Sequence, residues 1–135
     1  MTTGYEIRPV GYVESTIKDR AGAPKQGFEG APDAWLVFDA AVAEATRDIL
    51  PGADVFVLTW LDRAERDVLA VHPRDDPANP VTGVFSTRSQ DRPNPVGLHR
   101  VTVAEVHGLR MRVQGLEAFD GTPVVDVKPV LDGGR

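Results

Sequence analysis

The chain has 135 residues, 41% of them hydrophobic and 26% charged, with a formal net charge of −5 and no cysteine. That length suits a single domain, 1–135, with a real core, and the missing thiols exclude disulfides, thiolate nucleophiles and thiolate metal sites. No apolar run is long enough to cross a bilayer and the N-terminus lacks a basic-then-apolar leader, so a cytoplasmic protein without membrane partners is expected.

Tyr5 to Val13 alternates apolar and polar side chains and reads as a half-buried strand, with Pro9 marking an edge or bulge. Ala21 to Pro32 is a loop dense in glycine and proline. Trp35 to Asp39 reads as a strand. Ala40 to Leu50 has the one convincing helical pattern, with Ala41, Val42, Ala45, Ile49 and Leu50 roughly on one face, Asp39 as cap and Pro51-Gly52 as stop. The apolar run Val55 to Leu61 predicts a buried central strand. Asp67 to Val71 predicts a short strand, followed by a charged, proline-rich loop from His72 to Pro80. Further on, His99–Val106 and Leu109–Val113 form a hairpin turned at His107-Gly108, and Val124–Val130 closes the sheet. Asp120-Gly121 is a turn pair suited to positive φ, and Asp132 to Arg135 reads as a frayed tail. About eight short strands and one short α-helix predict an all-β fold, mainly an antiparallel barrel, without the βα alternation of a Rossmann sheet.

Charge is unevenly spread. Residues 31–82 carry ten acids against four bases, and the remainder carries eleven bases against ten acids. Arg88, Arg92 and Arg100 can form a small positive patch that meets a few phosphates, but no strong electrostatic trap for nucleic acid. His72, His99 and His107 have no metal-ligand spacing, so no metal site is expected.

The stretch Gly83-Val84-Phe85-Ser86-Thr87-Arg88-Ser89-Gln90-Asp91-Arg92-Pro93-Asn94-Pro95-Val96-Gly97 organises the rest. Val84-Phe85 reads as a strand end that breaks into a hydroxyl-rich turn. The prolines fix their own φ and push Arg92 and Asn94 into extended backbone, and Gly97 permits a tight turn into the next strand. Such a loop is either a plain connector with both arginines in solvent or a rigid presentation of two guanidiniums; loops usually carry function, which favours the second.

This stretch, with Asp120-Gly121-Thr122-Pro123-Val124-Val125-Asp126-Val127-Lys128-Pro129, resembles the two signatures of the TsaA-like proteins, also called TrmO or YaeB-like. The resemblance implies an all-β barrel, S-adenosyl-L-methionine as cofactor, and methyl transfer to N6 of threonylcarbamoyl-modified adenosine 37 in transfer RNA, by a protein that pairs as a homodimer. It also implies cofactor contacts from Gln26, Gly27 and Phe28, and from polar residues at the end of the central strand, here Asp62 and Arg63. The same resemblance assigns Arg88 to the cofactor and Leu98 to an apolar contact with it.

The segment Leu116, Glu117, Ala118 and Phe119 either reads the adenine edge through its backbone or is ordinary strand. Asp62 either accepts from the cofactor's ammonium or simply solvates a strand end. Arg92 and Asn94 are candidates for holding the methyl acceptor, Asn94 alternatively satisfying its own loop. Asp126 and Lys128 lie two apart on one strand face and are either an ion pair or acceptor groups, with Asp126 the candidate base and Lys128 an acceptor contact. Methyl transfer from a sulfonium needs positioning and desolvation and no Ser-His-Asp set, phosphate loop or metal. Two alternatives stay open: a methyltransferase with a small-molecule or protein acceptor, and a module that binds the cofactor without catalysis.

Overall fold

The computed structural model describes residues 3–18 and 32–131. Its strands are β1 (Gly11–Glu14), β2 (Ala34–Phe38), β3 (Asp54–Trp60), β4 (Ala70–Val71), β5 (Thr82–Gly83), β6 (Val96–His107), β7 (Arg110–Gln114) and β8 (Pro123–Pro129), with one α-helix, α1 (Ala43–Thr46). Six strands close into an antiparallel barrel in the order β1-β2-β7-β6-β3-β8, and β4 and β5 form a separate ribbon. Closure pairs every barrel strand on both sides, which removes the exposed edges that an open sheet of this size would present.

Alternation builds the interior. Val13, Leu36, Val55, Val57, Val101, Val103, Met111, Val113 and Val124 point inward and are buried together with Leu116. Gly52 N–H donates to Val103 O and Phe38 N–H to Leu109 O, so the helical turn after β2 and the β6–β7 hairpin share one end of the barrel. Gly108, at φ 61°, makes that hairpin turn, as the His107-Gly108 pair suggested. The opposite end, where β3 finishes and β6 begins, receives Asp62–Gly83, the signature loop and the segment before β8.

Several local expectations are corrected. The N-terminal strand is confined to Gly11–Glu14, because Pro9 has no N–H to give and residues before it lie exposed outside the sheet. Helix over 40–50 reduces to a 3-10 turn, Ala40–Val42, and one α turn. Val42 leaves helical geometry at φ −109°, and Leu50 stands before Pro51, which disfavours the α region. Asp39 does cap, accepting from Ala41 N–H at 3.0 Å. The Val55–Leu61 run is buried on one face only: Val55, Val57 and Thr59 enter the barrel while Phe56, Leu58 and Trp60 are partly exposed outside. Of Asp67–Val71 only Ala70–Val71 pairs as strand, and Val84–Ser86 is a 3-10 turn rather than a strand end. Gly97 is not a turn residue; it lies inside β6 opposite Thr59.

Candidate functional site

The two signatures meet on either side of β3. Leu58 pairs with Leu98 of β6 on one flank and with Asp126 of β8 on the other. Two strand spacings put Leu98 and Asp126 about 10 Å apart on the outer wall. Between Leu58 and Thr59 the β3–β8 register shifts, leaving Val125 as the extra residue of a bulge.

The signature loop is held from outside itself. Leu61 N–H donates to Pro95 O at 2.8 Å, Arg92 N–H to Glu65 O at 3.1 Å and Glu65 N–H to Asp91 Oδ1 at 2.9 Å. Arg66 donates to Pro93 O and to Asn94 Oδ1 at 2.7 and 2.8 Å, and its guanidinium lies over the Trp60 ring at 5.2 Å. Arg92 turns inward: its Nη2 donates to Val84 O and to Thr87 O, the latter at 2.7 Å, and its buried Nε has no partner among the described residues. Arg92 therefore braces the loop from within, and Asn94 serves Arg66 rather than its own backbone. Arg88 is different: it is exposed and makes no hydrogen bond or ion pair with any described residue. A shallow cavity of about 240 Å³ lies against the loop, lined by Leu69, Gly83, Val84, Phe85 and Ser86.

The segment before β8 is anchored just as firmly. Gly121, at φ 83°, completes the turn predicted at Asp120-Gly121. Asp120 N–H donates to Ile17 O and Gly121 N–H to Val13 O, both at 2.7 Å. Asp120 Oδ1 accepts from Ser15 N–H and Oδ2 pairs with Lys18, both at 2.9 Å, which lowers the Asp120 carboxyl below its ordinary pKa, the Ser15 N–H first and Lys18 second. Arg63 donates to Lys18 O at 2.7 Å and stacks over Phe119 at 4.2 Å, so it ties the end of β3 to this turn. Asp62 beside it is exposed and without a described partner.

The side chains of Leu116 and Ala118 are buried in the core, so only backbone from these positions can face a ligand. Among the described residues nothing hydrogen-bonds the backbone N–H of Leu116, Glu117 or Ala118. Asp126 Oδ1 accepts from Val127 N–H at 2.9 Å and Oδ2 pairs with Lys128 at 3.3 Å, the ion pair anticipated from their spacing. Leu98 projects from the outer wall, 43% exposed. Gln26, Gly27 and Phe28 lie outside the described residues. No three His, Asp or Glu side chains among the described residues could hold a metal, and no described helix is long and apolar enough to cross a membrane.

Residues 12–133 match the model of the tRNA-methyltransferase O N-terminal domain. The chain belongs to the TrmO family. Among its relatives, a probable S-adenosyl-L-methionine-binding protein of Methanothermobacter thermautotrophicus is 45% identical over 93% of this chain and 90% of its own length. An S-adenosyl-L-methionine-binding protein of Archaeoglobus fulgidus is 41% identical over 90% of this chain and 86% of its own. A putative S-adenosylmethionine-dependent methyltransferase of Pseudomonas aeruginosa is 32% identical over 94% of this chain and 55% of its own. The crystal structure of TrmO from P. aeruginosa superposes with a TM-score of 0.76 at 25% identity, covering 97% of this chain but 56% of that one. TrmO-family membership fits the mainly antiparallel barrel and one short helix predicted from strand alternation.

Sequence reasoning missed Arg66, Glu65, Ser15 and Lys18, which fix the two signatures in place. It also passed over His99, although a polar residue at an inward position between Gly97 and Val101 signals a buried partner.

Proposed function

We propose that this chain binds S-adenosyl-L-methionine at the β3-exit end of the barrel and transfers its methyl group to a nucleic-acid base, with N6 of threonylcarbamoyl-modified adenosine 37 in transfer RNA as acceptor. One observation carries the reading: a loop fastened by Arg66, Glu65 and inward-facing Arg92 leaves Arg88 as an exposed guanidinium with no partner among the described residues. A rigid loop that holds one arginine free suits recognition of a carboxylate by a planar donor fork.

The residues present fit the cofactor's chemistry. Arg88 takes the carboxylate, Asp62 the ammonium, the uncommitted backbone N–H groups of Leu116–Ala118 the adenine edge, and Leu98 an apolar surface. Arg63 and Phe119 hold that segment against Lys18, and Gln26, Gly27 and Phe28 complete the set. When bound, the cofactor supplies an electrophilic methyl whose sulfur departs as a neutral thioether, so no proton donor is needed. Asn94 and Lys128 hold the acceptor, Arg92 shapes the loop that presents Asn94, and Asp126 accepts the proton that the acceptor amine loses. The protein acts in the cytoplasm as a homodimer.

Calorimetric titration with S-adenosyl-L-methionine, followed by transfer of labelled methyl to bulk transfer RNA from cells lacking the enzyme, tests this. Saturable binding and labelled RNA support it; no binding refutes it, and binding without labelled RNA leaves the cofactor and removes the acceptor. A second reading, cofactor binding without transfer, is favoured by the setting of Asp126. Its carboxylate is half-exposed and already engaged by Lys128 and Val127 N–H, rather than desolvated as a tuned base would be.

A further inference from the structure

Inside the barrel wall lies a hydrogen-bonded chain that the proposed chemistry does not use. Thr59 Oγ1 lies 2.7 Å from His99 Nε2, and His99 Nδ1 lies 2.8 Å from Glu117 Oε1. Thr59 and His99 are 0% and 5% exposed, and the Glu117 side chain is 23% exposed. A carboxylate oxygen accepts, so Nδ1–H donates to Glu117 Oε1, and Nε2 shares the second hydrogen bond with the Thr59 hydroxyl. The chain runs from β3 through β6 into the segment that precedes β8.

Each of four successive side chains in that segment has its own anchor. Leu116 and Ala118 are sunk in the core, Phe119 lies under Arg63, and Glu117 is taken by His99. With every side chain committed, the backbone N–H groups are the polar groups left over, and Glu117 alone is held by a single hydrogen-bonded contact rather than by packing. Gly97 belongs to the same device, since a Cβ there would stand 2.3 Å from Thr59 Oγ1 and 2.7 Å from His99 Nε2.

We infer that His99 is a positioning residue: through Glu117 it fixes the backbone of residues 116–119 in the shape that receives the adenine of S-adenosyl-L-methionine. This rests on the cofactor reading above. The tie costs the cofactor no ordering of the segment on binding, which is where preorganisation raises affinity.

Glu117→Ala and Glu117→Gln, titrated with S-adenosyl-L-methionine by calorimetry and followed by amide hydrogen exchange without ligand, test it. Gln keeps an acceptor for Nδ1–H and Ala removes it. Glu117→Ala is expected to weaken binding about tenfold, the scale of a lost charge-assisted hydrogen bond, with Glu117→Gln within about threefold of wild type. The Asp120 and Thr122 amides, which donate to Ile17 O and Phe119 O beside the segment, exchange faster in Glu117→Ala while those of β7 are unchanged. A purely structural role would lower the melting temperature and leave affinity alone. Wild-type affinity in Glu117→Ala, or a Gln variant as weak as the Ala variant, overturns the inference while leaving the cofactor site standing. A wild-type protein that binds no S-adenosyl-L-methionine overturns the cofactor reading and this role with it, and unchanged exchange at 120 and 122 overturns the tie itself.

Discussion

Gly97→Ala probes the densest spot in the wall. Gly97 faces Thr59 across the β3–β6 ladder, and the added Cβ would stand 2.3 Å from Thr59 Oγ1 and 2.7 Å from His99 Nε2. Both distances are below any normal carbon contact, and neither partner is a loose surface chain: Thr59 is β-branched and wholly buried, and His99 is pinned by Glu117. Relief therefore means swinging Thr59 or His99 away and breaking their hydrogen bond. Overpacking costs about 1–3 kcal/mol and the lost buried hydrogen bond about 1 kcal/mol more, so the expected destabilisation is about 2–4 kcal/mol. Against a total stability of roughly 5–15 kcal/mol that is a large share. At this chain length each kcal/mol lowers the melting temperature by about 3–5 °C, so a fall of roughly 6–20 °C is expected. Urea unfolding of wild type, Gly97→Ala, Thr59→Ala and the double variant measures it. Because Thr59→Ala removes the nearer clash, it is expected to cost less in the Gly97→Ala background than alone. A Gly97→Ala protein within about 0.5 kcal/mol of wild type, with additive double-variant energies, would refute the close-packed picture.

Other outcomes follow from single contacts. Arg92→Ala removes a charged donor shared by Val84 O and Thr87 O and is expected to cost about 2–3 kcal/mol in chemical denaturation, with new proteolytic nicking between 84 and 92. Arg88→Ala, which breaks no described contact, is expected to leave stability within about 0.5 kcal/mol yet weaken S-adenosyl-L-methionine binding at least tenfold by calorimetry. Asp120 has its folded pKa lowered by the Ser15 N–H and Lys18, so it stabilises the fold above its unfolded value of about 3.9 and loses that contribution as pH falls through its folded value. The melting-temperature gap between wild type and Asp120→Asn is therefore expected to be widest near neutrality and to close in acid.

Much of the barrel was legible because its strands are buried on one face, which writes a period of two into β6, β7 and β8. Where that period fails as a guide, a local rule was overruled. Phe56, Leu58 and Trp60 made β3 look buried on both faces, although closure leaves one face outside. The run from Ala40 to Leu50 has helical composition, but it must turn back at Pro51 within a short connection and keeps only Val42 and Ile49 against the core. The signature loop was readable as rigid from its prolines, yet not which arginine would be free. That depends on carbonyls at Val84 and Thr87, which draw Arg92 inward, and on Arg66, which lies in a linker without periodicity. Glycine at 97 read as a turn because no sequence pattern reveals the Thr59–His99 hydrogen bond that needs the space. The Asp126–Lys128 pair and the Asp120-Gly121 turn were readable because both follow from neighbours in sequence.

The claim on which the rest turns is that the β3-exit end of the barrel receives S-adenosyl-L-methionine. Backbone amide chemical shifts followed by NMR during titration with that molecule test it directly. The account predicts saturating shifts at Asp62, Arg88, Leu98 and Leu116–Phe119, with the His107–Arg110 hairpin and α1 at the far end unmoved. Shifts confined to that far end, or none at saturating concentration, would contradict it.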